Sequence, residues 1–303
     1  PEQELPDGDF PTVSYPNPEA KEAFELGLKL AKEKDADLVL ATDPDADRLG
    51  VRVKDKNGEY HDLTGNMSGC LLANYELSQR KAVNGSLPED GALIKTIVTT
   101  NLADAIAKGY GVNLIEVLTG FKFIGQQILG FENSGKGSYL FGFEESYGCL
   151  IGTYARDKDA IVATMALCEA AAYYKTQGKT LWDAMIEMYE QFGYYKDAIQ
   201  SVTMKGIEGL QKIQEIMNSL RQNPPTEFAG HKVTAVRDYK ADTITDVATG
   251  AVKPTGLPNS NVLYYELTDD AWVCVRPSGT EPKVKFYYGV KGTSLADADE
   301  KSD

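Results

Sequence analysis

The chain has 303 residues, a length typical of two or three domains, and its shares of 42% hydrophobic and 25% charged residues are ordinary for a globular protein. The formal net charge of −14 argues against nucleic acid and anionic membranes as partners. The four cysteines are widely spaced, and the sequence contains no signal peptide and no apolar run long enough to span a membrane. We therefore expect a cytoplasmic protein without a membrane or nucleic-acid partner.

The first part of the chain predicts a helix, two strands and a second helix. Asn17 and Pro18 are typical of a helix start, and apolar residues follow at helical spacing. Residues 38–41 are an apolar run that predicts a buried strand, and residues 50–53 predict a second strand. We assign residues 1–87 to an incomplete α/β domain.

Residues 88–193 alternate between predicted strands and helices. Strands are expected at 92–100, 112–117 and 138–143, and helices at 102–109, 157–175 and 180–192. The helix at 157–175 carries one apolar stripe, formed by Ile161, Met165, Cys168 and Ala172. This alternation predicts a parallel α/β layer domain.

The pattern changes at residue 194. A strand at 198–204 and a helix at 207–221 precede several short strands, which indicates an α+β domain over residues 194–303. The predicted fold class is therefore α/β: two mixed or parallel α/β layer domains, the first incomplete, followed by a smaller α+β domain.

The most informative stretch follows the strand at 38–41. Asp43, Asp45 and Asp47 are spaced at i, i+2 and i+4, and Pro44 ends the strand because it cannot donate a ladder hydrogen bond. Ligands of open α/β sheets bind beyond the carboxyl ends of strands. Three crowded carboxylates at such an end repel one another unless a cation lies between them, and oxygen ligands of this kind suit Mg²⁺.

Three other interpretations apply to an acidic stretch of this kind. A solvated acidic turn is the simplest, and an aspartate nucleophile that accepts a phosphoryl group is another. The third, an EF-hand calcium loop, is excluded because its required Gly and Glu positions hold Arg48 and Lys54.

The segment Thr-Asp-Pro-Asp-Ala-Asp-Arg-Leu-Gly resembles the metal-binding loop of the α-D-phosphohexomutase family, which includes phosphoglucomutases and phosphomannomutases and whose usual form is D-G-D-G-D-R. This chain has Pro44 and Ala46 where glycine is usual. The resemblance implies that Asp43, Asp45 and Asp47 bind Mg²⁺ and that Arg48 acts beside them as a catalytic residue.

Two further loops, in the family's order, strengthen the resemblance. The segment at 142–148, Gly-Phe-Glu-Glu-Ser-Tyr-Gly, is similar to the sugar-recognition loop, which assigns sugar hydroxyls to Glu144 and Ser146. The segment at 276–282, Arg-Pro-Ser-Gly-Thr-Glu-Pro, is similar to the phosphate-binding loop. Arginine, hydroxyl and backbone N–H donors there suit a phosphate. The implied phosphate-binding residues are Arg276, Ser278, Gly279, Thr280 and Lys285.

Two smaller matches lie between these loops. Thr119, Gly120 and Lys122 match the family loop between the metal and sugar loops, and they are implied to bind substrate. Lys158 matches a family lysine near the reacting oxygens. It is flanked by Asp157 and Asp159, which favour its charged form, so we expect an electrostatic role before a role as proton donor.

The resemblance implies a phosphohexomutase that interconverts hexose 1-phosphate and hexose 6-phosphate, glucose before mannose, with Mg²⁺ and a hexose 1,6-bisphosphate intermediate. The family's nucleophile is a phosphoserine in a T-x-S-H-N-P loop, and no serine here is followed by histidine. We therefore expect a fragment without the phosphoserine domain, inactive alone and shortened at its other end too. A phosphatase with an aspartate nucleophile and a non-catalytic module that binds sugar phosphate or Ca²⁺ remain as alternatives.

Overall fold

A computed structural model describes residues 2–204, 206–278 and 282–303. The chain forms two compact units, one extending to Phe192 and the other comprising Gly193–Asp303. The mixed α/β architecture confirms the predicted fold class. The division expected at residues 87 and 88 stays a prediction.

The first unit contains strands β1 to β7 and helices α1 to α6. The strands are β1 (Leu38–Thr42), β2 (Leu49–Lys54), β3 (Tyr60–Leu63), β4 (Gly91–Thr96), β5 (Asn113–Val117), β6 (Ser138–Glu144) and β7 (Gly148–Leu150). The helices are α1 (Glu25–Lys34), α2 (Gly65–Asn84), α3 (Leu102–Tyr110), α4 (Phe121–Ser134), α5 (Ala160–Thr176) and α6 (Leu181–Phe192).

These strands form two sheets. Strands β1, β2 and β3 pair antiparallel in that order. The other sheet has the order β5-β4-β6-β7, in which β4 pairs parallel with β5 and β6, and β7 pairs antiparallel with β6. Because β4, β5 and β6 run in one direction, the loops that follow them lie at one edge of the sheet.

Local sequence explains two of the helix starts in this unit. The Thr64 hydroxyl caps α2 by accepting from Met67 N, and the Asp159 carboxylate caps α5 by accepting from Ile161 N and Val162 N. The helix start expected at Asn17 and Pro18 is wrong. Residues 21–24 form a 3-10 turn instead, and α1 begins at Glu25.

Two apolar segments are less buried than their sequence predicts. β1 is an edge strand, and residues 38–41 are half-buried rather than buried. The stripe predicted on α5 faces solvent, with Ile161 and Met165 each 64% exposed, while small residues such as Ala163 and Ala170 form the buried face of the helix.

The second unit contains strands β8 to β15 with helices α7 and α8. The strands are β8 (Tyr194–Thr203), β9 (Glu227–Phe228), β10 (His231–Asp238), β11 (Thr243–Asp246), β12 (Val252–Lys253), β13 (Leu263–Leu267), β14 (Trp272–Pro277) and β15 (Lys283–Gly292). The helices are α7 (Gly206–Gln222) and α8 (Leu295–Ser302).

One antiparallel sheet organises this unit, with the order β12-β11-β10-β13-β14-β15-β8, and β9 pairs with β10. Met217 of α7 packs into a core with Tyr265, Val275 and Val284 from the sheet. The α+β character expected for this part of the chain is therefore confirmed. No helix within the described ranges is both long and apolar enough to cross a membrane.

Candidate active site

The acidic loop, residues 43–48, follows β1 as a tight turn. The Asp43 carboxylate Oδ1 accepts from Asp47 N and Arg48 N, each at 3.0 Å, and Asp43 O accepts from Ala46 N at 3.0 Å. Ala46, at a usual glycine position of the resembled motif, has a left-handed φ of 55°. A left-handed conformation costs about 1 kcal/mol or more for a residue with a Cβ.

Three carboxylate oxygens, one each from Asp43, Asp45 and Asp47, lie within 4.8 Å of one another. Burial and the neighbouring charge of Asp47 raise the pKa of Asp43 against the opposing effect of the Arg48 backbone N–H. The turn therefore holds like charges together, as a site built to receive a cation would.

These three carboxylates are hard oxygen ligands of the kind that Mg²⁺ prefers. Oδ1 of Asp43 is already engaged by two backbone N–H groups, which leaves Oδ2 available to a cation. The donor set therefore fits Mg²⁺, and we expect these three aspartates to hold it.

Two cationic side chains, one of them at the end of the acidic loop, lie beside its carboxylates. Arg48 Nε lies 3.7 Å from Asp43 Oδ2 and 3.7 Å from Asp47 Oδ1, and this nitrogen makes no hydrogen bond within the described residues. Lys158 Nζ lies 2.9 Å from Asp47 Oδ2 and 3.1 Å from Asp157 Oδ1. Burial alone would lower the pKa of Lys158, but these two ion pairs raise it above its ordinary value, so Lys158 carries a positive charge.

The partners of Lys158 differ from the sequence expectation in one respect. Asp157 pairs with it, but Asp159 instead caps α5 and accepts a hydrogen bond from the Tyr154 hydroxyl. Asp47 of the acidic loop takes the place of Asp159.

Glu144 and Gly120 come together at the ends of β6 and β5. Glu144 is 4% exposed, and its Oε1 accepts from Gly120 N at 2.9 Å. Burial raises the pKa of Glu144, and the charge of Lys158 and the Gly120 N–H offset part of that rise. The Thr119 hydroxyl beside Gly120 is buried and has no hydrogen-bond partner in the part of the chain described. Such an unsatisfied group is what a polar ligand would engage.

Three contacts tie these segments into one cluster. Leu49 N donates to Tyr147 O at 2.9 Å, which joins the start of β2 to residues 144–148, the Glu144 loop. Ala160 N donates to Ala46 O at 3.0 Å, which joins α5 to the acidic loop. The Lys158 side chain packs so closely on Gly148 that a Cβ there would overlap it. The acidic loop, the Glu144 loop, Gly120 and Lys158 therefore form one cluster, which we call the carboxylate cluster.

The remaining predicted residues of this unit lie at its margin. Ser146 is half-buried in the loop between β6 and β7. Lys122 is exposed on the first turn of α4, and its Nζ lies 4.9 Å from the Phe123 ring centroid.

Sequence inspection missed the residues that support the Glu144 loop. Glu145 Oε2 accepts from the hydroxyls of Thr96 and Thr99, at 3.3 and 3.5 Å. Fully buried Lys95 donates to Thr99 O and Thr100 O, each at 3.3 Å. The Lys and Thr residues that close an otherwise apolar stretch were the signal for this network. The strand predicted at 92–100 is too long: β4 ends at Thr96, and Thr99 and Thr100 lie in the turn that follows.

Asn101 and Gly65 also support the Glu144 loop. Asn101 makes no side-chain cap on α3; its Oδ1 accepts from Lys95 Nζ at 3.1 Å. Gly65 begins α2 directly against the loop, where a Cβ would overlap the backbone of Glu145 and Tyr147. Tyr147 has a φ of 67°, so this loop is held in a conformation that its own residues disfavour.

The second unit carries the other predicted cluster. Arg276 on β14 lies directly opposite Lys285 on β15, and Arg276 donates from Nη1 to the Tyr287 hydroxyl at 3.5 Å. Ser278 N donates to Lys283 O at 2.8 Å, at the start of the connection between these strands. Gly279 and Thr280 lie outside the described residues. Like charges opposite each other destabilise a sheet unless an anion joins them.

A second group of potential metal ligands is explained by local structure. Asp55, Glu59 and His61 lie near one another, but the Asp55 carboxylate accepts from Asn57 N and Glu59 N and contacts His61 Nε2 at 3.0 Å. The His61 interaction and these backbone N–H groups lower the pKa of Asp55 to about 2. This group closes the β2–β3 hairpin.

Family models place the chain with phosphoglucomutases and phosphomannomutases. Alpha/beta/alpha domain II of phosphoglucomutase/phosphomannomutase matches residues 1–58, alpha/beta/alpha domain III matches residues 64–192, and the C-terminal domain matches residues 217–300. The phosphoglucomutases of Staphylococcus aureus strains bovine RF122 / ET3-1 and MRSA252 are each 38% identical over 296 residues, covering 98% of this chain and 52% of theirs.

Solved structures agree in fold. The open form of pp63/parafusin, a phosphoglucomutase from Paramecium, has a TM-score of 0.62 at 19% identity over 95% of this chain and 49% of its own. A phosphoglucomutase/phosphomannomutase family protein from Burkholderia thailandensis has a TM-score of 0.58 at 17% identity over 98% and 52%. The chain belongs to the α-D-phosphohexomutase family. It spans about half the length of the curated relatives that it matches.

Substitution of Glu144 by Gln should stabilise the chain in a pH-dependent way. Because burial raises its pKa, the native state binds the Glu144 proton more tightly than the unfolded state does, and stability falls as the pH rises through this raised pKa. Gln stays neutral and can still accept from Gly120 N. Thermal unfolding should show Glu144→Gln above the parent near pH ~8, with the difference shrinking toward pH ~4. A difference independent of pH would contradict this.

Substitution of Gly65 by Ala should lower stability by about 1–3 kcal/mol, because the new Cβ overlaps backbone that cannot move without displacing the Glu144 loop. Gly130 is the matched control: it lies in α4, and a Cβ added there would meet nothing within 4 Å, so Gly130→Ala should be neutral or stabilising by up to about 1 kcal/mol. Urea unfolding measures both. Equal effects of the two substitutions would disprove the packing role of Gly65.

Proposed function

We propose that the whole protein interconverts hexose 1-phosphate and hexose 6-phosphate, with glucose phosphates preferred and mannose phosphates second. The observation that carries this proposal is the carboxylate cluster, in which a Mg²⁺-type donor set, two cations and a buried sugar-type carboxylate meet in one unit. Family membership and the phosphoglucomutase relatives support the same reaction class.

The proposed reaction has two phosphoryl transfers. A phosphoserine, on a part of the protein outside these 303 residues, donates its phosphoryl group to a free hexose hydroxyl. The serine O–P bond breaks, a P–O bond to the sugar forms, and the hydroxyl proton leaves to a nearby base. The resulting hexose 1,6-bisphosphate turns over and returns its other phosphoryl group to the serine. Added bisphosphate would therefore act as an activator.

Residues of the first unit would position and stabilise the reacting groups. Asp43, Asp45 and Asp47 would hold Mg²⁺, which when bound neutralises charge that develops on the transferred phosphoryl group. Arg48 and charged Lys158 lie beside the same carboxylates and would add fixed positive charge there. Glu144 and Ser146 would accept and donate hydrogen bonds to sugar hydroxyls, with Thr119 and Gly120 adjacent and Lys122 at the margin.

The second unit would hold the phosphate that does not react. Arg276 and Lys285 face each other across two strands, so a phosphate between them would relieve their repulsion. Ser278 lies at the turn that follows, and we propose that Gly279 and Thr280 complete the grip. One phosphate clamp used for both orientations of the sugar is what a mutase requires.

The four cysteines are free thiols, three of them buried, which suits the reducing cytoplasm that we propose as the location. Since the phosphoryl-donating serine would lie outside these residues, we propose that the 303-residue chain is inactive alone.

The test is isomerisation of glucose 1-phosphate to glucose 6-phosphate, with Mg²⁺ and a trace of glucose 1,6-bisphosphate, by the 303-residue chain and by the product of its complete reading frame. We expect activity in the longer protein only. There, Asp45→Asn should reduce the rate about a hundredfold or more, because it removes a charged Mg²⁺ ligand. Asp55→Asn, in the hairpin carboxylate group, is the matched control and should have little effect.

Isomerisation by the 303-residue chain alone would contradict the phosphoserine scheme. Steady phosphate release by that chain would favour the phosphatase alternative instead. A longer protein that binds but does not isomerise any hexose phosphate would favour the non-catalytic module.

A further inference from the structure

The side chain of Arg48 makes its hydrogen bond to a residue outside the carboxylate cluster. Nη1 of Arg48 donates to Oε1 of Glu19 at 3.3 Å. Nε of Arg48 lies 3.7 Å from Asp43 Oδ2 and 3.7 Å from Asp47 Oδ1, and it makes no hydrogen bond within the described residues. A guanidinium binds a carboxylate most strongly through two parallel N–H donors. Arg48 therefore does not form the pair that it could make with either aspartate.

Glu19 is held in place by the backbone around it. Glu19 N donates to Asn17 Oδ1 at 2.8 Å, and Ala20 N donates to Asn17 O at 2.9 Å, so these residues form a turn. Pro18 is buried against Gly50 of β2, where a Cβ would lie 2.5 Å from Pro18 O. A backbone packed this closely on a strand has little freedom to move. The position of Glu19 is therefore set by the fold and not by its ion pair alone.

The carboxylate of Glu19 lies where two loops of the carboxylate cluster meet. Burial first, and then the charge of Glu19, raise the pKa of Tyr147 in the Glu144 loop to about 12. Leu49 N, next to Arg48 in the chain, donates to Tyr147 O at 2.9 Å. Glu19 is thus close to both loops, and it is the anion to which the Arg48 side chain donates.

An arginine beside an acidic metal site can compete with the metal. A guanidinium that donated two hydrogen bonds to Asp43 or Asp47 would occupy oxygens that a cation needs. Oδ2 of Asp43 is such an oxygen, because the backbone N–H groups engage only Oδ1. Glu19 engages Nη1 of Arg48, so the guanidinium does not close onto these carboxylates, while its positive charge stays beside them.

We propose that Glu19 is a positioning residue that acts through Arg48: it holds the guanidinium away from Asp43 and Asp47 and so keeps their oxygens available to Mg²⁺. The proposal rests on the proposed function only in treating the acidic loop as a Mg²⁺ site. Without Glu19, Arg48 would pair with the acidic loop, and Mg²⁺ would have to displace it.

Mg²⁺ binding to the 303-residue chain, measured by isothermal titration calorimetry, tests the proposal. Glu19→Gln removes the charge and keeps the shape of the side chain. It should weaken Mg²⁺ binding about tenfold, because the cation must then break a charge-assisted pair. Glu25→Gln is the matched control: Glu25 is also exposed, at the start of α1, and has no ion pair within the described residues. Its loss should change the affinity by less than about twofold.

A double-mutant cycle separates the role of Arg48 from the charge of Glu19 itself. Removing that charge could weaken Mg²⁺ binding without any role for Arg48. In an Arg48→Met background, where no guanidinium competes, Glu19→Gln should change the Mg²⁺ affinity by less than about twofold. An effect as large as in the parent would assign Glu19 a direct electrostatic role and overturn the proposal.

The Nε–H of Arg48 provides a structural readout. It has no hydrogen-bond acceptor within the described residues of the parent, and in Glu19→Gln without Mg²⁺ it should donate to an aspartate. Its hydrogen exchange, measured by NMR, should therefore slow at least about tenfold in the variant, and added Mg²⁺ should reverse the change. Unchanged exchange would contradict the proposed movement of the guanidinium.

In a longer protein that isomerises hexose phosphates, Glu19→Gln should raise the Mg²⁺ concentration for half-maximal rate about tenfold and leave the rate at saturating Mg²⁺ nearly unchanged. Equal Mg²⁺ affinity in the parent and Glu19→Gln would overturn the proposal, even if the longer protein is active. Undetectable Mg²⁺ binding by the parent would also overturn it, since Glu19 would have no metal site to act on. Weaker binding that depends on Arg48, in a protein that does not isomerise, would support the proposal and count against the proposed function alone.

Discussion

The turn that follows β1 holds three carboxylates within 4.8 Å of one another, and their mutual repulsion is the constraint on which the arrangement of the first unit depends. The chain keeps them there with backbone hydrogen bonds to Asp43, a left-handed Ala46 and ion pairs to Lys158 and Arg48. Despite these contacts, burial first, and then the charges of Asp47 and Asp45, raise the pKa of Asp43. A bound divalent cation would neutralise these carboxylates.

Glu144 is a second carboxylate that the fold holds in an unfavourable environment, here by burial. A carboxylate that is 4% exposed gains one N–H bond from Gly120, and its loop is supported from behind by Glu145, Thr96 and Gly65. This support fixes the position of Glu144 before any ligand arrives. Preorganised polar groups of this kind lower the cost of stabilising charge in a transition state. The unfavourable charge arrangement at the site is thus compensated by structural support around it.

Much of the candidate site in each unit was predictable because it lies in contiguous motifs. The acidic loop, the Glu144 loop and Arg276 could each be recognised from the spacing of a few residues, and alternating strands and helices indicated the α/β class. What could not be predicted depends on contacts between distant residues. Asp47 replaces Asp159 as a partner of Lys158, and Thr96 and Thr99 donate to Glu145, because the fold brings separate segments together.

The apolar segments show the same limit of prediction from sequence. Periodicity correctly identified an apolar stripe on α5 and an apolar strand at β1, but it does not say whether a partner covers them within these residues. Burial depends on which elements surround a strand or helix. Among the described residues nothing covers the stripe of α5 or pairs with the outer edge of β1, while four alanines and Leu167 form the buried face of α5.

The most direct measurement is the intact mass of the two proteins after incubation with glucose 1,6-bisphosphate and Mg²⁺. If these residues bind and position the sugar phosphate but do not supply the nucleophile, the product of the complete reading frame will gain one phosphoryl group on a serine outside the 303 residues. The 303-residue chain will gain none. A phosphoryl group on the 303-residue chain, above all on Asp43, Asp45 or Asp47, would contradict the proposed division of roles.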